Sequence, residues 1–346
     1  MINLTLSLIS LHYYGNSPFL MTSNNFHQKN YNILNSRFSY FFSNILRFNS
    51  RFNYAIKSSE FSHALDTAVI VSNNDQVTSH QLLTSTLIFY DGNLFIEHCK
   101  FKSCASQNPG GALHANNINL ILTCNLFTRN TSPICGAARI MSCFQVKWLG
   151  NAFVRNKANY NGAFSMDPAT EGSLFKIEST NISYNEAKKW TGGFRIDMTG
   201  GEIQNSVIEG NFAKVTGGFF DFSWTPSHRD VNMCIFKNNS AENRAGAVCA
   251  FHLMHSSKYY KVIFIQNKCE RKPDSISIDS VDTKIVLDES YFDGPKETQI
   301  GMKFGYSTFE ITKKTKFDQS ESSIKKIANQ IQKNNNKILK EHQCID

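Results

Sequence analysis

Hydrophobic positions in this chain come in short runs that alternate with period two. Leu120, Leu122 and Cys124 share one parity, and Phe144, Val146 and Trp148 share another. Turn residues separate the runs. Alternation over a few residues is the pattern of a strand with one face turned to a core, so the middle of the chain is expected to be many short strands. The period changes only near the end. There Ser322 and Ser323 precede Ile324, Ile327 and Ile331 at helical spacing with lysines between, which predicts an amphipathic helix over 320–340, interrupted at Asn334-Asn335-Asn336. Its expected place is over the last turn of whatever the strands build. A coiled-coil oligomerisation stub would need three or four sustained heptads, and the pattern supplies about two.

Two motifs recur in register. An aromatic or Ile stands three residues before Asn at Phe127/Asn130, Phe153/Asn156, Ile182/Asn185, Ile208/Asn211, Phe236/Asn239 and Phe264/Asn267, with steps of 26, 29, 26, 28 and 28 residues between the Asn. Degenerate copies lie at Phe101/Cys104 and Phe292/Pro295. A glycine flanked by small residues and followed by an apolar one recurs around Gly111, Gly136, Gly162, Gly192, Gly217 and Gly246, at steps of 25, 26, 30, 25 and 29. A fixed period of this size is the signature of a solenoid. Amphipathic helix pairs and a leucine ladder, which helical and leucine-rich repeats need, are both missing.

The period suits coils of two or three short strands that stack as parallel sheets at about 4.8 Å per coil. The expected fold is therefore all-β: a right-handed parallel β-helix of the pectin-lyase-like kind, with about seven to eight coils of 25–30 residues and a short C-terminal helix. Each motif has a physical role in it. Asn at one turn of every coil can take left-handed geometry and link its amide to the Asn of the coils above and below. The preceding Phe or Ile would point inward and stack. Glycine would mark corners where a side chain would strike the next coil. The organisation expected is a low-complexity region at 1–57, the β-helix at 58–294 with residues 60–72 as its N-terminal cap, and a C-terminal segment at 295–346.

The pairing of Gly-Gly-Ala-apolar and Phe-x-x-Asn motifs resembles the repeat of the chlamydial polymorphic outer membrane proteins. The Asn/Lys/Phe/Ile usage is more similar to the related β-helix proteins of trichomonad-type protists. The resemblance covers roughly residues 88–294. It implies a secreted or surface-displayed β-helix that works in adhesion or host contact, with a carbohydrate or a cell-surface protein as partner. No C-terminal membrane β-barrel or transmembrane helix is expected from the residues that follow the repeat.

Composition sharpens this picture. The 346 residues include 36 Asn and 28 Phe, and the net charge is +8. Residues 1–57 hold five Lys/Arg and no acid, and residues 296–346 hold ten Lys and six acids, which leaves the repeat body close to neutral. A nucleic-acid-binding body needs a basic face to displace counterions, so nucleic acid is not expected as a partner. No apolar window reaches the roughly 18 residues of a membrane helix. Residues 1–11 alternate apolar and polar without a basic start, a weak match to a secretory signal. Sequons stand at Asn3, Asn130, Asn181 and Asn238. The nine Cys include no C-x-x-C pair, so a zinc ribbon is not expected. Buried thiols come first, and one or two disulfides between stacked segments are the alternative.

Candidate chemistry follows from aligning the coils on glycine. The first position after the motif reads His114, Arg139, Ser165, Arg195, Phe220 and Cys249, and the third reads Asn116, Met141, Asp167, Asp197, Phe222 and Phe251. If both face outward, Arg139, Asp167, Arg195 and Asp197 form a mixed-charge patch, with Asp221, Glu171, Glu202 and Asp230 near in sequence. Such carboxylates could hold calcium or act as an acid/base pair on a polysaccharide. The plainer expectation is surface salt bridging, because arginines lie between the carboxylates. His252 and His255 find no third ligand. No cofactor or metal is expected. Trp190, Trp224, Tyr160 and Tyr184 could stack on sugars if they line one face.

Overall fold

A computed structural model describes residues 2–14, 19–21, 29–43, 45–48, 52–72, 92–167, 173–197, 200–222, 228–251, 256–279, 283–302 and 307–344. The chain is an all-β parallel solenoid with a C-terminal helix. Among the described residues, three sheets of twelve, eleven and eleven strands run its length, and a fourth of six spans only its middle. One coil reads Asn119–Thr123 in the first sheet, Leu126–Thr128 in the second, Thr131–Ser132 in the fourth and Ala138–Met141 in the third. The next coil pairs with it in parallel register, Leu120 beside Val146, Phe127 beside Phe153 and Ala138 beside Phe164.

The stack is longer than the seven to eight coils expected, because coils also form where the motifs are absent. Strands Ile2–Ser7, Lys29–Leu34 and Asn53–Lys57 pair in the first sheet. Residues 60–72 are not a cap. Glu60–Ser62 pairs with Arg37–Phe41 on one side and Lys100–Lys102 on the other, which makes it an interior strand. These coils keep the alternation and the aromatic position but use Ser36 and Ser59 at a turn and no glycine corner, so motif counting passes over them.

The core is a continuous apolar column. Phe38, Phe61, Phe101, Phe127 and Phe153 stack ring on ring at 4.7 to 5.2 Å, and Phe236, Phe264, Phe292 and Phe317 continue the column at 4.7 to 5.3 Å. Ile182 and Ile208 bridge the two runs in register. Parallel pairing puts like residues over one another at the coil spacing, which is close to the ideal offset-stacking distance of aromatic rings.

The Asn column runs beside it. Each Asn Nδ2 donates to Oδ1 of the Asn one coil on, at 2.9 to 3.1 Å, from Asn130 through Asn156, Asn185, Asn211 and Asn239 to Asn267. The same Oδ1 also accepts the backbone N–H of the earlier Asn. The second amide hydrogen goes to a core-strand carbonyl, as from Asn156 to Phe127. The left-handed residue is not the Asn. It is the one before it: Arg129, Arg155, Tyr184, Gly210, Asn238 and Gln266 have φ between +53° and +64°. That kink swings the following side chain inward, where it can span two coils. The sequon at Asn130 is therefore consumed by the fold, since this side chain is fully buried.

A second polar column stands where the first sheet passes to the second. Cys124, Gly150, Ser179 and Asn205 are left-handed there, and Asn125, Asn151, Thr180 and Ser206 follow them into the interior. Asn125 Nδ2 donates to Asn151 Oδ1 at 3.0 Å, and Ser206 Oγ accepts from the Thr180 backbone N–H at 3.1 Å. At the other corner, a Cβ on Gly111, Gly136, Gly162, Gly217 or Gly246 would lie closer than 3.0 Å to a backbone atom of the next coil.

Two helices follow the last glycine corner: α1 (Lys296–Gln299) and α2 (Glu321–Glu341). Ser320 caps α2 by accepting the Ser323 backbone N–H at 3.4 Å. The helix runs unbroken through Asn334-Asn335-Asn336, because three poor helix formers cost only tenths of a kcal/mol each and α2 is held on both sides of them. It does not cover the last coil. Ile324 and Ile331 pack on Ile235, Ile263 and Ile265 of the second sheet, so α2 lies along the flank. Its apolar seam is occupied within the chain. Past its end, Cys344 is disulfide-bonded to Cys124, 220 residues earlier, and the other seven Cys are buried thiols outside any disulfide. No helix among the described residues is long and apolar enough to cross a membrane.

Candidate functional site on the third sheet

The third sheet holds the aligned positions in the expected register. His114, Arg139, Ser165, Arg195, Phe220 and Cys249 are successive partners across the sheet. Asn116, Met141 and Asp167 form the parallel row, and Asp197, Phe222 and Phe251 continue it. Core residues Phe164, Phe194, Phe219 and Val248 precede the first row and fix its outward parity.

The four charged residues of the patch come together as two pairs. Arg195 Nε donates to Asp197 Oδ1 at 2.6 Å, and Arg139 Nη2 lies 3.6 Å from Asp167 Oδ2. Arg139 Nη1 also donates to Ser165 Oγ. Asp167 and Asp197 occupy matching ends of adjacent strands. Burial raises the Asp197 carboxyl above the ordinary carboxylate range, Arg195 opposes that rise, and the like charge of Asp167 adds to it. His114, half-buried in the same row, is pushed below the usual imidazole range by desolvation, with Arg139 as a further lowering influence.

Arg195 is also an aromatic contact. Its guanidinium lies 4.7 Å from the Phe222 ring centre, 5.4 Å from Phe220 and 5.7 Å from Trp190. Phe222 stacks on Phe251 at 5.8 Å. Arg244 covers Phe251 at 4.4 Å and pairs with the buried Asp279. Sequence alignment did not single out Arg244 or Asp279. Arg244 immediately precedes a glycine corner, at the position that Trp190 and Tyr160 hold two and three coils earlier, and that shared offset is the signal. A strip of half-buried rings (Trp190, Phe222 and Phe251) and carboxylate-anchored guanidiniums thus crosses the outer face of several coils, over the fully buried Phe220.

The other candidates separate from it. Asp221 points inward and pairs with Arg229, and both are fully buried. Arg229 fits because its register neighbours on the first sheet are Gly201 and Ser257, and burial lowers it to about 9. Ser257 Oγ donates to Asp221 Oδ2 at 3.4 Å. Both charges stand at apolar parity in their strands, a mark that alternation alone could reveal. Glu202 and Asp230 are partners on the first sheet, away from the strip. Tyr160 lies on the glycine corner one coil before Trp190, under Lys189 Nζ at 4.7 Å from its ring centre. Tyr184 is half-exposed on the kink before Asn185, at a different edge. Glu171, Trp224, His252 and His255 lie outside the described residues. Among the described residues, no group of three or more His, Cys, Asp and Glu could hold a metal ion.

Comparison with protein-family models, curated proteins and solved structures finds no match for this chain.

Proposed function

We propose that this β-solenoid is a non-catalytic binding protein whose third-sheet face takes carbohydrate. The observation that carries the reading is the strip of half-buried Trp190, Phe222 and Phe251 threaded by Arg195 and Arg244, with the fully buried Phe220 beneath it. Ring faces stack on the C–H face of a sugar, and guanidinium edges held by carboxylates offer fixed donors to its hydroxyls. The carboxylates of the strip are each held by an arginine, which suits recognition better than proton transfer. The winding is read as right-handed, as parallel crossovers within one sheet almost always are. Secretion or surface display, and adhesion as the biological use, rest on the resemblance of the repeat motifs.

The test is a glycan array followed by titration calorimetry on the best ligand. Phe222→Ala and Arg195→Ala should each weaken binding about tenfold or more, roughly 1.4 kcal/mol, without turnover of any glycan. Binding unchanged in both variants overturns the reading.

A second reading has its own observation. Asp197 carries a raised carboxyl beside Asp167 on the adjacent strand, the arrangement of an acid and a nucleophile or base at close separation. Cleavage of a polysaccharide by the wild type, abolished in Asp197→Ala, would replace the binding reading with this one.

A further inference from the structure

The mooring of α2 is uneven. Its first half is held by packing: Ile324 and Ile331 are buried against Ile235, Ile263 and Ile265. Its second half meets polar coil turns. A cavity of about 370 Å³ opens beneath it, lined by Asn125, Gly150, Ser179, Gln332, Asn335 and Leu339 among others. The Cys124–Cys344 bond closes the far end, and Leu339 and Cys344 sit over Gly150. A second cavity of about 480 Å³ lies under the first half, beside Val207, Ile235 and Ile265. Beyond Cys124 the same flank continues as an open groove of about 500 Å³ past His98, Ser58 and Asn35.

The cysteines differ as sharply. Cys124 occupies a left-handed kink on the outer surface, with φ +55°. The seven cysteines outside the disulfide are all buried, and burial pushes Cys99, Cys104, Cys143 and Cys234 up to about 12. Thiol–disulfide exchange needs an accessible sulfur and a thiolate. These buried thiols supply no accessible sulfur, so the bond has no internal partner to reshuffle with.

We propose that Cys124–Cys344 is a redox latch on α2, opened by a small dithiol. The dithiol gives two electrons and two protons to the protein disulfide and closes into a cyclic disulfide itself. The protein S–S bond breaks to leave two thiols. The segment after Ile331 then leaves the flank, and the space beneath it joins the open groove past Cys124. The first half of α2 stays seated on its isoleucines.

The test is hydrogen–deuterium exchange on the full chain, read by peptide mass, with and without dithiothreitol. Alkylation without reductant should leave Cys124 and Cys344 unmodified. Reduction should speed exchange over 332–344 about tenfold or more, with 321–331 and the sheet strands unchanged. Cys344→Ser should show the fast pattern without reductant. The latch is overturned if Cys124 alkylates in air-oxidised protein, if exchange over 332–344 is indifferent to reduction, or if Cys344→Ser stays as protected as the oxidised wild type. Loosening of the coils together with the helix would overturn it as well, since the bond would then be a general staple.

Discussion

At the scale of single residues, the fold depends on polar side chains that are buried and fully satisfied. Asn185 shows what one of them contributes. Its Oδ1 accepts both the backbone N–H and the Nδ2 of Asn156, and its own Nδ2 donates to the Phe153 carbonyl. Asn185→Ala would strand two buried donors and remove one donor from a buried carbonyl. Each orphan costs about 1–3 kcal/mol, so a loss of roughly 3 kcal/mol or more is expected in denaturant unfolding. Asn238→Gly is the control, because Asn238 is exposed at φ +54°; it should change stability by less than about 0.5 kcal/mol. Equal losses in both would refute the ladder as a stabilising device. Asp197 gives a pH prediction. Burial raises its carboxyl in the folded protein, so the folded state favours the protonated form. The stability it contributes is present below the unfolded carboxylate pKa of about 3.9 and is lost as pH rises through the higher folded value. Asp197→Asn should therefore gain on the wild type as pH rises through that window and keep the gain at neutral pH. Thermal melts between pH 3 and 7 read this, and a difference that does not vary with pH would contradict it.

At the scale of elements, the sequence shows some devices clearly and hides others. Phe127 with Asn130, repeated six times, marks both the stacked core and the polar column, because a ladder needs the same residue at the same place in every coil. Glycine corners are legible for the same reason: only one residue fits. The second column is hidden because Asn125, Asn151, Thr180 and Ser206 do one job with three residue types, and any small acceptor serves. The ends of alternating runs also mislead. Cys124 and Phe144 share the parity of core neighbours, yet the strands are Asn119–Thr123 and Gln145–Leu149, and both residues fall just outside them. Helix α2 is legible from Ile324, Ile327 and Ile331, while its seat is not. An apolar stripe says that something is covered, and only the outward Ile235 and Ile263 on the flank say what. The charged patch is legible as a register, since glycine fixes the alignment. The rings that flank it emerge only when the residue before the corner is tracked as well.

At the scale of the whole molecule, the two kinds of column have different extents, and stability should follow the shorter one. The aromatic column begins at Phe38 and runs to Phe317. The Asn column begins at Asn130, with Cys104 as its first neighbour, and ends at Asn267. The glycine corners and the fourth sheet cover the same middle stretch. Among the described residues, the coils before residue 72 share the apolar core, but their side-chain links are the part-buried Asn53-to-Asn30 amide contact and the Ser36–Ser59 contact rather than a buried amide chain from coil to coil. A solenoid is stabilised by intrinsic coil terms and nearest-neighbour interfaces, so interfaces without that link should open first. Native-state hydrogen exchange in low denaturant should place Arg37–Phe41 and Asn53–Lys57 in a unit of lower opening free energy than Leu126–Thr128 through Ile235–Lys237. Equilibrium unfolding should then be broader than a single two-state transition, with the first step accounting for only part of the exposed surface. Exchange that merges all of these strands into one unit would mean that the aromatic column alone sets cooperativity and that the amide ladder only fixes register.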